Sequence, residues 1–214
     1  MSVLPHFSAR RRAITAGAAA ALALALTACG SSGGDHASAS GHDRASGAAA
    51  PAPGKFDQAD IAFAQMMIPH HQQAVSMARL AGGRASDGQV KSLAVDIEKA
   101  QGPEIRTMKG WLASWGKPAS PSADHSMPGM RHGSGASMPG MMTGEAMSAL
   151  KAARGHDFDR KFTEMMIGHH RGAITMAQEE RRNGSNAAAR KLAAAVIEDQ
   201  RAEVGTMRKI LDRL

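Results

Sequence analysis

The sequence predicts an all-α protein, a four-helix bundle made of two repeated helical hairpins. Three observations predict it. Apolar residues recur at alternating spacings of three and four over long stretches, the period of helices that bury one stripe. One of these stretches occurs twice. No convincing period-two strand pattern is present.

The first segment, residues 1–28, reads as a signal peptide and not as part of the fold. Arg10, Arg11 and Arg12 form a basic start, and a run rich in Ala and Leu follows from Ala13 to Leu26, too short to span a bilayer comfortably. It ends in Leu-Thr-Ala before Cys29, the only cysteine, which is the layout of a bacterial lipobox with Cys29 as the lipidated residue. The expected location is therefore outside the cell interior, anchored to the outer face of the cytoplasmic membrane. A single cysteine also rules out an intrachain disulfide. Residues 29–55, mostly Gly, Ala, Ser and Pro, read as a flexible tether.

Hairpin repeat 1 spans 56–115, and hairpin repeat 2 spans 144–214. Phe63-Ala-Gln-Met-Met-Ile-Pro-His-His-Gln-Gln-Ala-Val-Ser-Met-Ala78 matches Phe162-Thr-Glu-Met-Met-Ile-Gly-His-His-Arg-Gly-Ala-Ile-Thr-Met-Ala177. The same offset, without a gap, pairs Asp60 with Asp159, Ser86 with Ser185 and Leu93 with Leu192. It also pairs Gln101 with Gln200, Glu104 with Glu203 and Met108 with Met207. One offset across two helices means each repeat is a hairpin of fixed size, and two such hairpins together can bury the stripes neither buries alone. Gly82-Gly83 is expected to end the first helix in a left-handed cap, with Ser86 and Gln89 forming a capping box for the second. Asn183-Gly184 and Ser185 take these roles in repeat 2, and a short extra helix is expected near Glu145 to Arg154.

The stripes are polar at their centres. Helix one carries Phe63, Met66, His70, Gln73 and Met77. Helix two carries Val90, Ala94, Ile97, Gln101, Glu104, Met108, Trp111 and Trp115. Adjacent helical residues point about 100° apart, so His70 and His71 face different neighbours. Each has a methionine one turn earlier, Met66 and Met67, and Met77 lies two turns after His70. Repeat 2 reproduces the set as Met165, Met166, His169, His170 and Met176. Imidazole with thioether favours soft metal ions, Cu(I) above all. One such Met or His is ordinary core, but a core needs volume and shape, not two adjacent imidazoles twice over. Gln101, Glu104 and Met108, with Gln200, Glu203 and Met207, are expected as supporting or additional groups, since a metal-bound His usually donates its other N–H to a carboxylate or amide. Glu104 could instead pair with an Arg such as Arg106. Pro69 and its counterpart Gly168 weaken the helices just before each His pair.

Residues 116–143 read as a Met/His-rich linker. His125, Met127, Met130, His132, Met138, Met141 and Met142 alternate there with Gly and Pro. Methionine is normally avoided in solvated loops, and a flexible Met/His segment can wrap a soft ion. The whole chain holds 15 Met, no Tyr, 5 Phe and 2 Trp. Removing the three signal arginines from the formal charge of +7 leaves +4, spread along the helices. That is too diffuse, with too few aromatics, for a nucleic-acid partner.

The paired Met-Met-Ile-Pro-His-His-Gln-Gln-Ala-Val-Ser-Met-Ala and Met-Met-Ile-Gly-His-His-Arg-Gly-Ala-Ile-Thr-Met-Ala blocks resemble secreted bacterial proteins of domain-of-unknown-function family 305, over about residues 56 to 214. The resemblance implies a ferritin-like bundle and an association with copper binding and resistance. The Asp-His-Ser-Met-Pro-Gly-Met stretch is similar to the Met-rich repeats of periplasmic copper-resistance proteins.

The expected function is thus an exported, lipid-anchored copper-binding protein, with Cu(I) favoured, no organic cofactor and a copper-handling protein as a candidate partner. The sequence leaves its oligomeric state open. A structural or partner-binding bundle without metal is the alternative. A ferritin-like di-iron enzyme is disfavoured, because no Glu-x-x-His occurs in the chain.

Overall fold

The structure, a computed structural model, describes residues 54–120 and 138–214. The signal peptide, Cys29, most of the tether and the linker residues His125, Met127, Met130 and His132 lie outside the described residues. Five helices are present among those described: α1 (Gln58–Arg84), α2 (Gly88–Ser114), α3 (Gly144–Ala152), α4 (Gly155–Asn183) and α5 (Ala187–Leu211). None of them is long and apolar enough to cross a membrane. The four long helices form the two expected hairpins, α1/α2 and α4/α5, joined mainly through α1 against α4. The short α3 is the extra helix expected near Glu145 to Arg154, and its Leu150 is fully buried.

The hairpin turns differ from expectation in an instructive way. Helix α1 runs through Gly82 and Gly83 to Arg84 and ends at Ala85 in extended backbone, with no left-handed cap. It is also unbroken at Pro69. Asp87, not Ser86, caps α2, accepting from the Gln89 and Val90 backbone N–H groups at 2.8 and 3.1 Å. Asn186, not Ser185, caps α5 in the same way, and Gly184 has φ −71°.

The two serines have other partners. Ser86 donates its backbone N–H and its hydroxyl to Asp159 of the opposite hairpin, joined by the Asp87 N–H at 2.9 Å. Reciprocally, Asp60 accepts from the Ser185 N–H and hydroxyl and from the Asn186 N–H at 2.9 Å. Each hairpin therefore holds the other's turn through one fully buried aspartate. Charge-assisted bonds to otherwise orphaned helix-start N–H groups are strong ones, so these clasps fix how the repeats meet.

The core divides into two apolar clusters. One contains Ala74, Met77, Ile97, Leu150, Phe158, Phe162, Met166, Val204 and Met207. The other contains Phe63, Met67, Met108, Trp111, Ala173, Met176, Ala189 and Ile197. Along every long helix a polar position falls between them: His70 and His71 in α1, Gln101 in α2, His169 and His170 in α4, Gln200 in α5. The stripes with polar centres thus stack into a polar layer in the middle of the bundle.

Candidate metal centre

All four histidines of the two His-His pairs are fully buried. The 100° step between neighbours sends them in two directions. His70 and its repeat equivalent His169 meet between the hairpins, with ring centroids 3.7 Å apart. His71 and His170 point within their own hairpins. His71 Nε2 lies 2.7 Å from Glu104 Oε2, and His170 Nε2 contacts Glu203 Oε2 at 2.5 Å. Glu104 therefore partners a histidine and not Arg106, and the pattern repeats in both halves.

These contacts decide where the protons sit. A carboxylate only accepts, so each of these rings donates through Nε2. His70 Nε2 lies 3.0 Å from the Pro139 carbonyl oxygen, which also only accepts. In the neutral rings of His70, His71 and His170, the lone pair is then on Nδ1. All three Nδ1 atoms are buried without a partner, as are both ring nitrogens of His169. Burying a hydrogen-bonding atom with nothing to bond costs about 1–3 kcal/mol, so several in one layer need a reason.

Burial also keeps the central pair neutral. Desolvation pushes the pKa of His70 down to about 4, and the neighbouring His71 and His170 lower it further against the raising effect of the Pro139 bond. Desolvation pushes His169 down to about 2, aided by the charges that His70, His170 and His71 would carry. Both can present lone pairs well below ordinary imidazole pH.

The predicted methionines fall into two groups. Met67, Met77, Met108, Met166 and Met207 are fully buried, and Met176 is nearly so. Met66 and Met165 are only partly buried, packed at the edge of the clusters. Met67 and Met166, one turn before His71 and His170, belong to the apolar clusters that border the layer, as do Met77, Met108, Met176 and Met207. Among the described residues no three His, Cys, Asp or Glu side chains group as a metal site, so the donors the layer offers are imidazole nitrogens and, with them, methionine sulfur. Gln101 is buried but both atoms of its amide lack a partner, so it supports no histidine through a hydrogen bond. Gln200 is buried too, and its amide oxygen is buried without a partner.

The described end of the linker was not expected where it lies. Met138–Thr143 does not stand apart from the bundle. Gln73 grips Met142 twice, accepting from its N–H at 2.7 Å and donating to its carbonyl at 2.9 Å. Met142 is partly buried against the first apolar cluster. Two groups escaped the sequence reading. One is Gly172, whose place in a mid-helix beside a His pair was the available signal. The other is Glu180, which is 2% exposed and matches Ala81 of repeat 1; no pattern in the sequence marked it as buried.

The fold and this layer define a pseudo-symmetric four-helix bundle with a buried imidazole centre. The chain belongs to domain-of-unknown-function family 305, which matches residues 60–211. A secreted member of that family from Streptomyces coelicolor is 34% identical, with a TM-score of 0.66 over 72% of this chain and 93% of that one. A family fragment from Deinococcus radiodurans is 29% identical, with a TM-score of 0.63 over 77% of this chain and 99% of that one. CopM in a Cu(I)-bound form is 32% identical, with a TM-score of 0.59 over 72% of this chain and 96% of that one. CopM is also described in Cu(II)-bound and silver-bound forms. No curated protein matches the chain.

Proposed function

We propose that this chain is an exported, lipid-anchored protein that binds a soft metal ion, copper(I) above other ions, in its histidine layer. The observation that carries the reading is the set of buried Nδ1 lone pairs on His70, His71 and His170, beside the unpartnered His169. Three of the rings are held from outside by acceptors, the arrangement that orients a metal-bound imidazole and raises its basicity. Met67 and Met166, buried one turn before His71 and His170, are the thioethers this reading assigns, and thioether shifts preference toward Cu(I). The copper- and silver-bound forms of the relative CopM support the same class of ion. The role is binding and not catalysis, in copper homeostasis or resistance.

The test is Cu(I) titration of the mature protein against a competing chelator, beside a variant with Ala at positions 70, 71, 169 and 170. The variant should lose the tight sites while keeping its helical spectrum. Equal uptake by both proteins would mean that the layer is core alone. Export and anchoring rest on the signal segment and Cys29, and Cys29→Ser should release the protein from membranes. If that variant still sediments with them, the anchor lies elsewhere.

A further inference from the structure

The two repeats differ at positions on the very helix faces that carry the central histidines. Gln73 of α1 corresponds to Gly172 of α4, and Pro69 corresponds to Gly168. One chain segment explains the first of these differences, whereas a Cβ at Gly168 would meet nothing within 4 Å and the second has no such cause. Pro139 and Gly140 lie directly on α4. A Cβ on Gly172 would come within 1.9 Å of the Pro139 carbonyl oxygen and 2.8 Å of Gly140 Cα, and both are backbone atoms. Gly140 has φ +76°, and a Cβ there would lie 2.7 Å from the Gly168 carbonyl oxygen. On the other side, the Gln73 amide grips the backbone of Met142, and the Pro139 carbonyl accepts the Nε2–H of His70.

We propose that Met138–Thr143 is a strap that closes the histidine layer, sets His70 for ligation through Nδ1, and controls the rate at which the ion leaves. Gln73 is its clamp and Gly172 its seat, both acting as positioning residues. The proposal rests on the metal-binding reading above. The strap lies over two equivalent histidines, yet its one carbonyl bonds only one of them. His70 therefore has a fixed tautomer, and His169 keeps both nitrogens unpaired. With the strap lifted, His70 loses its acceptor and the layer opens to water. Met138 and Met141, partly buried on the strap, then stand on the path out as thioether donors.

The experiment uses the mature protein and two variants, Gly172→Ala and Gln73→Ala. Alanine at 172 favours α4 as a helix but cannot share space with the seated strap. Gln73 is only partly buried, so its removal spares the core. In the metal-free proteins, nitrogen-15 NMR of the His70 ring reads the strap directly. Wild type should show a protected Nε2–H on His70, and both variants should lose that protection. In the loaded proteins, transfer of Cu(I) to a chelator should be about tenfold faster in each variant, the equivalent of one lost hydrogen bond, at unchanged stoichiometry. A His70 Nε2–H that is unprotected in wild type, or unaltered in both variants, overturns the proposal, as do unchanged transfer rates. If wild type takes up no Cu(I), the metal reading fails, and the His70 signal still decides whether the strap holds that ring.

Discussion

Hairpin repeat 1 and hairpin repeat 2 carry the same histidines, the same paired methionines and the same clasp aspartate, but differ at Gln73/Gly172, Pro69/Gly168 and Ala81/Glu180. The shared residues build what is symmetric: the layer, its carboxylate partners and the two clasps. The differing residues lie where symmetry is broken. One strap crosses the α1/α4 face and needs a grip on one side and bare backbone on the other. At the clasps, Glu180 stands beside Asp60, whereas the matching position near Asp159 is Ala81. The hairpins thus keep the histidines and clasp aspartates in the repeated positions and the Gln73 and Gly172 contacts to the 138–143 segment in the diverged ones.

The clasps give the largest expected effect. Asp159→Ala would leave the Ser86 and Asp87 donors without their acceptor, a loss of roughly 3 kcal/mol for charge-assisted buried bonds. Asp60→Ala removes the equivalent bonds and also the bond from the Asp57 N–H at 2.7 Å, while relieving Glu180 of a neighbouring carboxylate. Urea unfolding ranks Asp159→Ala as the more damaging if that relief exceeds the extra bond. The reverse order means that it does not.

Much of this was legible in the sequence, for physical reasons. Hydrophobic period and a constant repeat offset fix helices and hairpins, and the polar centres of the stripes foretold a polar layer between apolar ends. The pairing of Glu104 with His71 was one of two open choices, because sequence spacing gives height along a hairpin but not side-chain direction. The caps were misplaced by one residue for a different reason. Ser86 and Ser185 have the chemistry of caps, but their hydroxyls are taken by aspartates distant in sequence. Likewise Met-Pro-Gly-Met reads locally as a free loop, and it is docked by the facing Gly172, Gln73 and His70, all distant in sequence.

Acid tests the shared layer. The folded protein holds His70 at about 4 and His169 at about 2, while an unfolded chain would take up both protons near the ordinary 6.5. Between 6.5 and 4 the unfolded state binds more protons, so the metal-free protein loses stability as pH falls through that window. His169→Asn should flatten the acid side of a melting-temperature profile more than His70→Asn does, since His169 is the more depressed. Bound copper should resist acid further than a surface histidine site would, because the central rings hold their lone pairs to lower pH.

Alkali tests the diverged clasp. Burial, then the neighbouring Asp60, pushes Glu180 up to about 8 from its ordinary 4.5. Asp60 moves the other way: burial alone would raise it, but the backbone N–H groups of Asp57 and Asn186 outweigh that and hold it below its usual value. The stability Glu180 contributes as a neutral acid is complete below pH 4.5 and is lost as pH rises through 8. Glu180→Ala, which restores the residue found at Ala81, should remove this alkaline loss. A wild-type melting temperature that stays level from pH 7 to 9 would show that Glu180 is already ionised.

The smallest effect sharpens the comparison at the polar layer itself. Gln101 and Gln200 occupy matching positions, and both are buried between the apolar clusters. Both amide atoms of Gln101 are buried without a partner, whereas in Gln200 only the oxygen is. Leucine has nearly the same shape and no polar atoms to strand, so the exchange trades an unmet hydrogen-bonding demand for packed apolar surface. Gln101→Leu should stabilise the metal-free protein by about 1 kcal/mol, and Gln200→Leu by less, since only one of its amide atoms is stranded. Chemical unfolding of the two variants reads the difference directly. If Gln101→Leu instead destabilises the metal-free protein, the amide has a partner in solution, and a water bridging it to the Nδ1 atoms of the histidine layer is the arrangement left to account for it.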